Sequence, residues 1–316
     1  MSNVSKVYKP HAITLREVGL RDGLQLVKTF PSSAEKCEWI RREYDAGVRH
    51  FEIGSFLPAS RFPQFADIRE LIDAVGAREN AFAAALALNE RGAEDAFSTG
   101  LDEVMCVLSA TEEHSLANAR RSRASAVELV AKIRAMRDQA GHKAIVTAAI
   151  SMSFGCTLAG TVEPDEVLRL VDALMDAGAE VIGLADTVGY AGPRQVGELT
   201  EQTRKLIGDV PLCIHLHDTR GMGLANASAA LDGGADILDA SLGGLGGCPF
   251  APGATGNIVF EDVVYLCETK GFATGIDPDA LKGPREVAER SMPGETFYGA
   301  IARAGTPANV PWRLSA

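Results

Sequence analysis

Val210-Pro211-Leu212-Cys213-Ile214-His215-Leu216-His217-Asp218 is an apolar run that ends in two histidines and an aspartate. Side chains on a strand alternate faces, so residues two apart share one surface. Read as a strand, the run sets His215 and His217 side by side with room for one ion between them. Neutral imidazole is a common ligand of divalent metals. The alternative is a pair of hydrogen-bonded core histidines. Asp218 next door and the glycine-rich stretches elsewhere weigh toward the metal.

Seven more strand-like runs surround this one, at 12–18, 48–53, 81–88, 103–108, 144–151, 181–185 and 237–241. The run before the histidines, 211–216, is seventh in chain order. Amphipathic stretches separate them. A helix is expected over 34–45, with Ser32 or Ser33 as its cap and Gly47 as its stop, and others over 125–140, 164–177, 194–207 and 224–231. Strands alternating with helices predict a parallel sheet covered by helices. Eight such units within about 250 residues fit a closed (β/α)8 TIM barrel. An open doubly wound sheet would carry a nucleotide fingerprint after its first strand, and none is there. The tail, 271–316, holds several Pro and Gly and reads as extra helices with an extended end. The chain 1–316 is thus expected to be one barrel domain with a C-terminal extension.

Hydrophobic content of 46% and charged content of 23% suit a globular chain, and the net charge is -11. That balance argues against nucleic acid or an anionic membrane as partner, since both select basic patches. The six cysteines, Cys37, Cys106, Cys156, Cys213, Cys248 and Cys267, show no C-x-x-C spacing. A thiolate zinc site or a redox dithiol is therefore not expected. Residues 1–10 lack the apolar core of a signal peptide, and no apolar run reaches membrane-spanning length. These features predict a cytoplasmic protein with free thiols.

A barrel of this kind carries its active site at the carboxyl ends of the strands. Polar residues gather at those positions in the sequence. Arg21, Asp22 and Gln25 follow the first run; Glu52 lies in the second and Ser55 after it; Asn89 follows the third. Asp186 follows the sixth, and the eighth leads into 243–257, where Cys248 sits among glycines before Pro249 and Asn257 closes the stretch. Asp22, His215, His217 and Asn257 supply oxygens and nitrogens without thiolate, a set that suits Mg²⁺ or Mn²⁺ completed by water. Asp22 can instead cap the helix after the first strand, and Asn257 can instead serve a turn. Cys248 stands outside any apolar periodic run, unlike Cys106 and Cys213, and reads as a catalytic thiol on a loop. Glu52 and Asp186 are costly in a barrel mouth unless paired, and Arg21 is the expected counter-ion.

Arg21-Asp22-Gly23-Leu24-Gln25, His215-Leu216-His217-Asp218-Thr219, Asp186-Thr187-Val188-Gly189 and the cysteine stretch 246–257 together resemble the 3-hydroxy-3-methylglutaryl-CoA lyase family. This family belongs to the metal-dependent lyase and Claisen-synthase barrels, and the likeness spans about 14–275. The cysteine stretch is the most specific motif, because the synthase relatives lack it. The resemblance implies cleavage of a 3-hydroxyacyl-CoA to acetyl-CoA and a keto acid, acetoacetate in the named case, by a homodimer. It implies Asp22, His215, His217 and Asn257 as metal ligands, with Arg21, Glu52, Asp186 and Cys248 in catalysis. Breaking the C2–C3 bond requires the C3 hydroxyl to lose its proton, and a divalent ion lowers that hydroxyl's pKa while orienting the substrate. Asp186 or His215 would take the proton, Arg21 would hold the enolate oxygen, and Cys248 would protonate the enolate carbon. Gln25, Ser55 and Asn89 are expected at the substrate.

The chain departs from the family at Leu26-Val27-Lys28, at Pro58-Ala59-Ser60-Arg61 and at Thr157. These positions are in rim loops, so they bear on the acyl group rather than on the reaction. Two other readings stand beside the lyase: a Claisen-type synthase, and a barrel that binds acyl-CoA without turnover.

Overall fold

The computed structural model of the protein describes residues 3–247 and 256–314. Its strands are β1 (Thr14–Glu17), β2 (His50–Ser55), β3 (Phe82–Leu86), β4 (Glu103–Ser109), β5 (Ile145–Ser151), β6 (Val181–Asp186), β7 (Leu212–Leu216) and β8 (Ile237–Ala240). Each pairs in parallel with the next, and β1 pairs with β8, so the sheet closes in chain order. This is the (β/α)8 TIM barrel that the alternation predicts. Every expected strand run overlaps an observed strand. His217 falls one residue past β7, where it forms a bridge to Asn257.

The helices begin where the sequence offers caps. Ser32, not Ser33, caps the helix Ser33–Asp45: its hydroxyl accepts from the Glu35 amide while Glu35 reaches back to the Ser32 amide. Ser122 caps Arg123–Gln139 with its hydroxyl alone, which accepts from the Ser125 amide. Pro164 and Pro193 occupy the first turn of their helices, where a missing N–H costs nothing.

Alternation along each strand sorts the core into an outer shell and an interior. On β4, Val104, Cys106 and Leu108 face the helices and belong to the main core, while Met105 packs inside the barrel with Ala84 and Leu86 of β3. The lower end is sealed by the N-terminal helix Val4–Val7 and by Tyr8, which pack on Ile145, Val181, Cys213 and Ile237. In the tail, the helix Lys282–Ser291 lies against Ser33–Asp45, with Arg42 Nη1 donating to the Gly283 carbonyl at 3.2 Å. A last short helix spans Ile301–Ala304. Among the described residues Cys37, Cys106, Cys156, Cys213 and Cys267 are free thiols. Burial pushes Cys106 and Cys267 up to about 12, which makes them inert packing groups. No helix of the described residues is long and apolar enough to cross a membrane.

Candidate active site at the carboxyl end of the barrel

The chain leaves β1 in one wide turn, Gly19–Gly23, in which the Val18 carbonyl accepts from the amides of Arg21 (3.1 Å), Asp22 (2.8 Å) and Gly23 (3.2 Å). Such π-type turns recur at functional sites because they re-aim side chains. Here the turn buries Arg21 and Asp22 at the barrel mouth, each 8% exposed. The capping alternative for Asp22 falls away, since the next helix starts at Ser33 and Ser32 caps it.

Arg21 and Glu52 form a two-point pair, Nε to Oε1 at 2.6 Å and Nη2 to Oε2 at 2.9 Å. The same guanidinium reaches Asp22 Oδ1 through Nη1 at 2.5 Å and Gln25 Oε1 at 3.3 Å. Burial opposes the charge of Asp22, but Arg21 and the two histidines outweigh it and hold its carboxyl well below the usual range. Glu52 is fully buried, and burial raises its pKa against the pull of Arg21. A shift in register between Glu52 and Ser55 pairs Ser55 with Leu86, two residues beyond the partner of Glu52. This bulge returns Ser55 to the inner face that Glu52 shares, where it is 2% exposed.

His215 and His217 face each other, their Nε2 atoms 3.1 Å apart. Asp22 Oδ2 lies 3.6 Å from His217 Nε2 and 4.0 Å from His215 Nε2. Ligands at right angles around an ion at about 2.1 Å stand about 3 Å apart, so these three atoms need only a small contraction to share one octahedral cation. Asn257 completes the group. Its Nδ2 donates to Asp22 Oδ2 (2.7 Å) and to the Leu245 carbonyl (2.9 Å), while its Oδ1 is buried and has no partner among the described residues. A buried acceptor left empty is costly, and a cation within its reach would satisfy it. The backbone closes tightly here: a side chain at Gly246, which has φ +116°, would put Cβ 2.6 Å from Asn257 Nδ2. Donors, spacing and orphaned oxygen together fit a divalent ion.

One candidate ligand, His215, is braced from behind. His215 Nδ1 lies 3.2 Å from Asp239 Oδ2, and the carboxylate assigns the proton to Nδ1 and leaves Nε2 bare. Asp239 was not among the sequence candidates. Its signal was a lone carboxylate inside the apolar run of β8.

Asp186 does not pair with Arg21. Its Oδ1 accepts from the Tyr190 amide (2.9 Å) and its Oδ2 from the Ala191 amide (3.1 Å), so the backbone after β6 supplies the donors that a counter-ion was expected to provide. Burial raises its pKa and the amides only partly offset this. Asn89 is exposed and caps the helix Glu90–Phe97, its Oδ1 accepting from the Gly92 amide at 2.8 Å. The structure thus gives its side-chain oxygen a local role that sequence reading did not foresee. Cys248 lies outside the described residues.

A sequence model of the HMGL-like family matches residues 12–287. The chain is 33% identical over 285 residues to a hydroxymethylglutaryl-CoA lyase of Bacillus subtilis, covering 90% of this chain and 94% of that one. It is 39% identical over 304 residues to an (R)-citramalyl-CoA lyase of Chloroflexus aurantiacus, covering 93% and 95%. Among solved structures, an HMG-CoA lyase from Acinetobacter baumannii in complex with coenzyme A and 3-methylmalate superposes with a TM-score of 0.86 at 35% identity, covering 95% of this chain and 97% of that one.

Proposed function

Because this chain belongs to the HMGL-like family of carbon–carbon lyases, we propose that it cleaves a 3-hydroxy-3-methylglutaryl-CoA-like thioester to acetyl-CoA and a keto acid. The observation that carries the reading is the convergence of Asp22, His215 and His217 beside the orphaned Asn257 oxygen and the Arg21–Glu52 pair. Asp22, His215, His217 and Asn257 are proposed to hold a divalent metal, with Mg²⁺ or Mn²⁺ favoured by an all oxygen-and-nitrogen donor set. When bound, the metal supplies charge that orients the substrate's C3 hydroxyl and makes it more acidic.

The side chains then divide the work. Asp186 accepts the hydroxyl proton, a role that its raised pKa suits. His215 is ruled out of it, because its Nε2 is given to the metal and its Nδ1 faces Asp239. As the C2–C3 bond breaks, its electrons move onto the thioester carbonyl oxygen. Arg21 has five N–H groups, of which four are taken by Glu52, Asp22 and Gln25. The remaining one is available to that developing oxyanion. Glu52 keeps the guanidinium plane fixed while this happens. Ser55 and Gln25 are proposed substrate contacts, and Cys248 is proposed to protonate the enolate carbon, releasing acetyl-CoA.

A second substrate reading rests on the 39% identity to an (R)-citramalyl-CoA lyase. That thioester carries its carboxylate one methylene closer to the 3-hydroxy carbon, and its keto product would be pyruvate. The test is incubation of the chain with Mg²⁺ and each thioester, followed by mass identification of products. Acetyl-CoA with acetoacetate supports the first reading, and acetyl-CoA with pyruvate the second. Release of free CoA from acetyl-CoA and a keto acid would replace both with a Claisen synthase. Binding without any turnover would leave a non-catalytic barrel.

A further inference from the structure

Below the mouth, the barrel interior holds a layer of charge that the reaction does not call for. Arg16 of β1 is 1% exposed, Glu103 of β4 and Asp239 of β8 are each 2% exposed. Strand register sets Arg16 level with Asp239, and Asp239 level with His215. Arg16 grips Asp239 at two points, Nε to Oδ1 at 2.8 Å and Nη2 to Oδ2 at 3.2 Å. Its other arm donates from Nη1 to Glu103 Oε1 at 2.8 Å. Glu103 is held in turn by Thr147 Oγ1 at 2.6 Å and by the hydroxyl of Tyr8, the residue that plugs the barrel floor. The oxygen of Asp239 that faces His215 Nδ1 is one of the two that Arg16 holds.

We propose that Arg16 is a positioning residue for the metal site: it fixes the Asp239 carboxylate, and through it the plane and tautomer of His215. The inference rests on the metal reading given above. Stability alone does not account for the layer. TIM-barrel interiors are usually filled by branched aliphatic side chains, and a buried ion triad is on balance no more stabilising than such a filling. What a triad provides is direction. A two-point guanidinium–carboxylate pair has one geometry, whereas a methyl-lined layer would leave Asp239 free to turn. The plug of Val4, Val7 and Tyr8 keeps this layer dry, which strengthens each bond in it. Outer partners of metal-bound histidines typically change metal affinity by about 10–100-fold when removed.

The experiment titrates Mn²⁺ into the full chain and reads the free-ion EPR signal, with thermal unfolding recorded on each protein. Wild type sets the reference; if it takes up no Mn²⁺, the metal reading itself fails. The double variant Arg16→Met/Glu103→Gln removes one buried charge of each sign and releases Asp239. It is expected to bind Mn²⁺ about 10–100-fold more weakly while remaining folded. Arg16→Lys keeps the charge but loses the two-point grip, and is expected to fall between this and wild type; it decides the matter should the double variant not fold. Thr147→Val removes one bond to Glu103, and Tyr8→Phe removes another together with the long bond that Tyr8 accepts from Arg16 Nη1 at 3.4 Å. Both leave the two-point grip on Asp239, so each is expected to change affinity by less than about threefold. Wild-type affinity in a folded Arg16 variant overturns the proposal. An equal loss in the Tyr8 and Thr147 variants also overturns it, because the effect would then be a loosened barrel.

Discussion

Arg16 and Glu17 are consecutive residues of β1, both are buried, and their surroundings differ in kind. Arg16 points into the barrel, where Asp239 and Glu103 meet its guanidinium, and at the mouth above Asp22 and Glu52 meet that of Arg21 while Asp186 is held by the Tyr190 and Ala191 amides. Glu17 points out toward the helices. Its Oε1 accepts from the amides of Gly19 and Leu242, but its Oε2 has no partner among the described residues, and nearby Glu43 has only the Trp39 side chain drawn toward it. Burial raises Glu17 to about 8, and Glu261 and Glu52 nearby add to the rise. Burial likewise raises Glu43, with Glu17 adding to the effect. Outside, burial pushes the same kind of side chain toward its neutral form. Burial by itself therefore says little about a carboxylate; the donors aimed at it decide whether it remains an ion.

The contrast breaks most visibly at the mouth. Asp22→Ala and His217→Ala are each expected to remove metal binding and to lower kcat on the order of 10³-fold, since the ion supplies several kcal/mol of charge stabilisation. Steady-state rates with metal content measured on the same samples check this. Retained metal and rate in either variant would mean that the inner charges serve packing alone. Arg21→Lys is the next largest, at about 10²–10³-fold in kcat with KM little changed. Lysine keeps the charge but cannot hold Glu52 at two points while also reaching a substrate oxygen. A rise in KM alone would move Arg21 from the developing oxyanion to ground-state binding.

On the outer side the observable is stability against pH. The folded pKa of Glu17, about 8, lies above its unfolded value near 4.5. Between those values the folded state binds more protons than the unfolded state. Stability must then fall as pH rises through that window and level off above it. Thermal unfolding scans from pH 5 to 9 are expected to show Tm decreasing, and Glu17→Gln is expected to flatten the decline by a few degrees. A wild-type Tm that climbs with pH across the same window would show that Glu17 is an ion after all.

This division also explains what could be read from the chain. The strands were legible because each is a short apolar run bounded by turn residues, and the paired histidines because period two is a local signal. The mouth residues were legible through their place at the run ends. Arg16, Glu103 and Asp239 were not, because their partners are far along the chain. Only closure of the barrel sets them abreast. The pairing of Asp186 was misjudged for a related reason: its donors are backbone amides after β6, which carry no sequence signature. The wide turn after β1 was hidden as well, since it depends on the Val18 carbonyl rather than on residue type.

Asn89 gives the smallest effect and separates a rim residue that shapes its own helix from one that touches substrate. Its side-chain oxygen is engaged by the Gly92 amide, and the residue is exposed at the start of Glu90–Phe97. Loss of such a cap costs about 1 kcal/mol. Asn89→Ala is therefore expected to lower Tm by a few degrees and leave kcat/KM unchanged, while Asn89→Asp, which preserves the accepting oxygen, is expected to match wild type in both. If Asn89→Asp holds its Tm but raises KM, the amide nitrogen is at the substrate. The residue would then belong with Gln25 and Ser55, and the line between scaffold and mouth would have to be drawn one loop further out.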